Sequence, residues 1–154
     1  MTRAIAADVP EIVVMVGALL HEIMQATGVQ AFHFDSNETT TRLHAFIQQE
    51  RYFVFVARDG GGNPVGFIAL YEAYALYASG VFGTIPELYV RPKFRNGGIG
   101  LQLVAQAKSF ALARGWKRLE VTTPPLPQFE RTLAFYEREG FSISGGRKLK
   151  ISLE

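Results

Sequence analysis

The sequence predicts an α/β (α+β) fold: a mixed, largely antiparallel central sheet of six to seven strands with helices on both faces. Two periodicities point to it. Apolar residues recur at helical spacing over Ile12 to Ile23 and over Ile99 to Ala111, whereas Tyr52 to Ala57, Val65 to Tyr71 and Val81 to Val90 are aromatic and β-branched runs of strand length. A third observation is the junction between the last of these strands and the helical run that opens at Ile99, the glycine-rich stretch Arg95-Asn96-Gly97-Gly98-Ile99-Gly100.

Along the chain, Thr2 to Ala6 is expected as a short edge strand. Asp8-Val9-Pro10-Glu11 carries helix-start signals, an acid at the cap, Glu three residues on and proline in the first turn. Ile12, Met15, Val16, Leu19, Leu20 and Ile23 then share one face. The pattern breaks between Ala26 and Asn37, where Phe32-His33-Phe34-Asp35 forms a loop whose aromatics either pin it to the core or line a pocket. Asp35 or Ser36 caps a second helix through about Gln49, with Leu43, Phe46 and Ile47 inward. The strands Tyr52 to Ala57 and Val65 to Tyr71 are joined by the hairpin turn Asp59 to Asn63. Tyr74 to Gly80 is a second aromatic loop. Pro86 falls inside the next strand and cannot donate to a ladder, so pairing is expected to fail just before Glu87 and leave backbone donors near Leu88 to Val90 available. After the glycines, the helix stops at Gly115; Lys117 to Thr123 reads as a strand, Pro124-Pro125-Leu126-Pro127 as a stiff link, and Phe129 to Glu139 as a shorter helix. The tail, Phe141 to Leu153, reads as two strands around Gly145-Gly146, with Leu149, Ile151 and Leu153 alternating against Lys148, Lys150 and Ser152.

Composition bounds the function. At 154 residues the chain is expected to form a single domain, 1–154. Having no cysteine, it has no disulfide, thiolate nucleophile or cysteine metal site. Sixteen basic and 14 acidic residues leave a net charge of +2, too balanced for bulk nucleic-acid binding, and the apolar run Ile12 to Leu20 is too short to span a bilayer. A cytoplasmic protein with neither nucleic-acid nor membrane partners is expected. His21, His33 and His44 lack ligand spacing, and no metal is expected.

The glycine loop has the makings of an anion cradle. The first amides of a helix have no internal partner and carry about half a positive charge, while Gly97, Gly98 and Gly100 let backbone approach a phosphate closely, and Arg91, Lys93 and Arg95 add positive charge. It is not a P-loop, because Gly100-Leu101-Gln102 lacks the terminal Lys-Ser/Thr, and not a dinucleotide fingerprint, because position 103 is Leu. The remaining pattern, Arg95-x-x-Gly98-x-Gly100 between strand and helix, resembles the motif of the GCN5-related N-acetyltransferase (GNAT) family. Leu88-Tyr89-Val90-Arg91-Pro92 is similar to the end of that family's fourth strand, and Ala134-Phe135-Tyr136-Glu137-Arg138-Glu139-Gly140-Phe141 to its late helix and strand. The order of elements resembles the family's layout over nearly the whole chain.

The resemblance implies an acyl-CoA N-acyltransferase fold with the fourth and fifth strands splayed. It implies acetyl-CoA as co-substrate, with its pyrophosphate on Arg95, Asn96, Gly97, Gly98, Ile99, Gly100 and Leu101 and its pantetheine along Leu88, Tyr89 and Val90. The implied reaction is direct attack of a primary amine, a small amine or amino-acid-like metabolite, on the thioester in a ternary complex. An amine with a pKa of about 10.4 must lose a proton at a cost of about 4 to 5 kcal/mol at neutral pH, and Glu87 is the candidate base, acting through water. Tyr136, with a reference pKa near ~10, is the candidate donor to the leaving thiolate. Phe32, Phe34 and Tyr74, with Tyr77, suggest a partly apolar acceptor pocket. One departure is Phe129, which stands where the family often has Asn; Thr122, Thr123 or water is left to substitute. A non-catalytic acyl-CoA-binding module is the alternative reading, and the resemblance leaves a homodimer open to the chain.

Overall fold

The computed structural model describes residues 1–154. It contains six strands, β1 Thr2–Arg3, β2 Phe53–Arg58, β3 Pro64–Ala75, β4 Gly80–Ile85, β5 Leu88–Val90 and β6 Leu119–Val121, and four helices, α1 Val9–Thr27, α2 Ser36–Gln48, α3 Ile99–Ala113 and α4 Glu130–Arg138. The sheet runs β1-β2-β3-β4-β6, with β5 also on β3. All pairings are antiparallel except β4 with β6.

Both faces of the sheet are buried. Along β2, Phe53, Phe55 and Ala57 enter the core beneath α3, where Leu103, Val104 and Ala107 cover them. Val54 and Val56 enter a second core with Ile12, Val13 and Met15 of α1 and Leu43 of α2. A strand covered on both sides reads as a continuous apolar run, as this one does. On β3 the register slips where Ala57 faces Gly66 but Arg58 faces Pro64. Val65 is therefore the extra residue of a bulge, and it turns toward the α3 core.

β3 is the spine. Its far half pairs with β4, from Tyr71 opposite Thr84 to Ala75 opposite Gly80, and its near half pairs with β5, from Gly66 opposite Val90 to Ile68 opposite Leu88. The stretch Val81 to Val90 is thus one return strand, broken where Pro86 predicts.

Two local expectations are corrected. Asp8 stands at the cap position of α1 as expected, but its side chain makes no capping hydrogen bond: its Oδ2 accepts from the Ile5 amide at 2.9 Å, and with Glu11 it grips Arg58 of β2 at 2.9 Å each. A long-range guanidinium has captured both carboxylates from the local capping geometry. The tail strands expected in Phe141 to Leu153 are absent, leaving six strands and an outer edge of β6 with no neighbour. Ile143, Leu149, Ile151 and Leu153 are 77% to 92% exposed. Alternation selects a face, but a ladder exists only with a partner strand, and none lies beside these residues. Asp35 does cap α2 as expected, accepting from the Glu38 amide at 2.9 Å.

β4 and the turn after α3 meet at Gly83. A Cβ there would fall 2.3 and 2.4 Å from two atoms of the Trp116 ring and 2.7 Å from Leu119 Cδ2. Trp116 has no freedom to retreat, because its Nε1 donates to Glu72 Oε1 at 2.7 Å and its ring packs edge-on against Phe110. Gly83→Ala is expected to lower the unfolding free energy by about 2 to 3 kcal/mol, measured by urea denaturation.

Candidate active site

Pro86 creates the site by adding one residue to the return strand. Thr84 lies opposite Tyr71, whereas the Glu87 carbonyl accepts from the Ala69 amide at 2.9 Å, so three positions on one strand span two on the other. Tyr89 faces Phe67, and the Arg91 amide donates to the Val65 carbonyl at 2.8 Å. Glu87, Tyr89 and Arg91 therefore aim their backbone groups at β3, and Leu88 and Val90 aim theirs the other way. No strand lies on that side, since β6 pairs only with Gly83 to Ile85 of β4. The sheet parts here, leaving an edge of backbone groups open.

Beyond this edge the chain makes a turn at Pro92–Phe94 and then the glycine loop. Asn96 and Gly98 take φ of 65° and 87°. Gly98 is the cap residue of α3, and nothing lies within 4 Å of a Cβ built on it, so its dihedral and not its size calls for glycine. Gly100 is different: a Cβ there would touch the Phe135 ring at 3.4 Å, which lets α3 and α4 close together. The first helical bond runs from the Gln102 amide to the Gly98 carbonyl at 3.0 Å, so the amides of Ile99, Gly100 and Leu101 have no helical acceptor. The loop from Arg95 to Gly98 is exposed. An exposed set of free amides with two positive-φ residues has the donors and curvature that a diphosphate requires.

Arg95 departs from the expected role of diffuse charge. Its Nε donates to the Val90 carbonyl at 2.8 Å, its Nη2 meets Glu22 of α1 at 2.8 Å, and its guanidinium lies 5.6 Å over the Tyr89 ring. Arg91 is likewise engaged, through Nε to the Pro64 carbonyl at 2.9 Å. Arg95 braces the loop, and Arg91 ties the end of β5 to the start of β3.

Glu87 is partly buried on the α1 and α2 side, with the Tyr52 hydroxyl 3.5 Å from its Oε2. Burial pushes its carboxyl up to about 7, against a small opposing effect of the Tyr52 contact. Burial, and then the neighbouring Glu87, push the Tyr52 hydroxyl up. Tyr136 of α4 is only 4% exposed, its ring held edge-on between Phe135 and Phe141, each at 5.3 Å. Burial raises its hydroxyl above the ordinary tyrosine value. That hydroxyl has no protein partner, yet no buried side-chain oxygen is unsatisfied, so it reaches open space. It opens on a groove of about 1170 Å³ between β6, α4 and the chain that follows, where Thr122 and Thr123 also lie. Phe129 is the cap residue of α4. No contact joins Tyr136 to Glu87 directly.

The expected acceptor aromatics are dispersed. Phe34 packs inward onto Gly17, where a Cβ would meet its ring at 2.9 Å, and Phe32 is 38% exposed on the loop. Tyr74 lines a separate cavity of about 510 Å³ with Tyr52, Tyr71 and Phe46. No local sequence signal sets Tyr52 and Tyr71 apart; continuing the register from Phe53 opposite Leu70 places them side by side.

Comparison with known proteins bears on the family and the fold. The acetyltransferase (GNAT) domain family matches residues 50–143. An aminoalkylphosphonate N-acetyltransferase of Salmonella typhimurium is 36% identical over 91 residues, 58% of this chain and 56% of that protein. The match spans about half the length of the curated relatives. Among solved structures, a predicted acetyltransferase with acetyl-CoA from Clostridium acetobutylicum superposes with a TM-score of 0.80 at 15% identity, over 99% of this chain and 94% of that one. A GCN5-related N-acetyltransferase from Ralstonia eutropha gives 0.76 at 20% identity, over 97% and 96%.

The Glu87 carboxyl has a definite stability signature. Its folded value of about 7 lies above the ordinary 4.5, so its contribution is complete below 4.5. As pH rises the unfolded chain ionises first, and stability is lost until the folded carboxyl ionises too. Glu87→Gln should remove a loss on the order of 2 to 3 kcal/mol between about pH 4.5 and 7.5. Urea denaturation of both proteins across that range reads the difference directly, free of the other carboxylates.

Proposed function

The chain belongs to the GNAT acetyltransferase family, and from that premise we propose that residues 1–154 act as one domain that transfers an acetyl group from acetyl-CoA to a primary amine by direct attack in a ternary complex. The observation that carries this reading is the parted edge of β5 running into the positive-φ loop that opens α3. Acetyl-CoA supplies the thioester. The amides from Asn96 to Leu101 bind its pyrophosphate, and the backbone of Leu88 with the amide of Val90 offers the outward groups for a pantetheine amide. Arg95 holds the Val90 carbonyl and the loop in one arrangement.

Glu87 carries the base role. A carboxyl near 7 is substantially ionised at neutral pH yet basic enough to take a proton from an ammonium through water, the compromise that general-base catalysis favours. The neutral nitrogen bonds to the acyl carbon, the carbon–sulfur bond breaks, the Tyr136 hydroxyl gives a proton to the departing sulfur, and the second proton shed by the nitrogen returns to that hydroxyl through water. Burial keeps that hydroxyl protonated throughout the working range. The acceptor is a small amine or amino-acid-like metabolite, a reading supported by the aminoalkylphosphonate activity named for the Salmonella relative.

A thiol-release assay with acetyl-CoA and a panel of primary amines tests the proposal, and absence of release with every amine overturns it. The rate should rise with pH through about 7 and then level, and Glu87→Gln should abolish that limb. Tyr136→Phe is expected to lower kcat roughly a hundredfold while leaving the KM for acetyl-CoA in place.

A further inference from the structure

We propose that the cavity between the end of α2 and the adjoining ends of β2 and β3 is the acceptor site, and that it takes a primary amine carried on an aromatic or similarly flat apolar body. This rests on the acetyltransferase reading and names its second substrate. The cavity measures about 510 Å³, within the range of small-molecule sites. Three of its walls are rings: Phe46 lies 5.1 Å from Tyr52 at 39°, and Tyr52 lies 6.2 Å from Tyr71 and within 11° of parallel. Tyr74 adds a fourth. It is 74% exposed, yet it is held in place by its hydroxyl, which donates to Glu72 Oε2 at 2.7 Å. An exposed tyrosine fixed at the rim of an aromatic cavity offers a face to a ligand.

Two carboxylates stand at the rim of the cavity. Glu50 and Glu72 line it with Arg51, and each carboxylate is also paired with an arginine behind the lining, so the pull on an ammonium comes from the ring faces and the nearby carboxylate oxygens and not from a net charge. Glu72 is locked by Trp116 and Arg114, and Glu50 reaches Arg3 at 3.5 Å on the surface. Rings over an ammonium and a carboxylate at the rim recognise an amine, and flat walls recognise the body behind it.

Tyr52 connects the cavity to the proposed chemistry. Its ring is a wall, and its hydroxyl is 3.5 Å from Glu87 Oε2. An amine lying against Tyr52 is therefore one hydroxyl away from the carboxylate that would take its proton. Tyr52 acts through Glu87 as a positioning residue, and by hydrogen bonding to the charged form it holds the Glu87 carboxyl lower than burial alone would.

The test compares phenethylamine, butylamine and aminomethylphosphonate by thiol release at saturating acetyl-CoA, with phenethylamine binding followed separately by calorimetry. Phenethylamine should give the highest kcat/KM. Tyr74→Ala, at an exposed position that leaves the core intact, and Tyr71→Leu should each raise its KM roughly tenfold, with acetyl-CoA affinity unchanged. Tyr52→Phe should move the acid limb of the pH profile upward. Turnover whose KM ignores Tyr74→Ala and Tyr71→Leu, or preference for aminomethylphosphonate that depends on Arg51, overturns the site while the acetyltransferase reading stands. Phenethylamine binding that Tyr74→Ala weakens, with no thiol release from any amine, supports the site and overturns the acetyltransferase reading. Failure of the wild-type protein to bind phenethylamine at millimolar concentration also overturns the site.

Discussion

A single unpaired position governs this structure: Pro86 has no amide to give, and β3 has no place opposite for it. The strand on one side of that point joins a parallel neighbour, and the strand on the other side does not. Because the register shifts by one residue there, the faces exchange as well. Ile85 belongs to the core under α3, whereas Tyr89 belongs to the core under α1 and α2. Glu87 is thereby turned toward Tyr52, and the backbone of Leu88 and Val90 is turned toward the gap.

Around this break the cores on the two faces fix the sheet, and a few charged side chains fix its ends. Arg58 binds the start of α1 to β2 through two carboxylates. Arg114 lies over Phe53 at 4.5 Å and shares Glu72 with Trp116, which anchors the end of α3 to β3. These contacts are partly exposed, and each is worth little as a free ion pair. Their value is positional: they join elements far apart in sequence and leave the middle of the sheet to the apolar packing.

Much of this was legible in the chain. The helices announce themselves by apolar spacing, Asp35 by its cap, and the interruption at Pro86 by a missing donor, because each of these is decided within a few residues. The glycine loop was legible for the same reason, and its three matching segments named the family correctly. What was not legible depends on distant partners. Asp8 and Glu11 suit a capping box locally, but Arg58 lies 50 residues from Asp8 and takes both. The bulge at Val65 sets which tyrosines meet, so the pairing of Tyr52 with Tyr71 could not be read from either strand alone. Phe34 had two local readings, and the proximity of Gly17 decides for packing. In the tail, the alternation of Leu149, Ile151 and Leu153 was genuine, but alternation cannot supply a neighbour.

The bracing by Arg95 has one further consequence. A flexible glycine turn would ordinarily sample many shapes, and a ligand would have to freeze it at an entropic cost. Here one guanidinium bridges the turn, the carbonyl of Val90 and a carboxylate on α1, so that turn and strand edge move as a unit. A ligand long enough to touch both would find them already in register, and more of its intrinsic binding energy would survive as affinity.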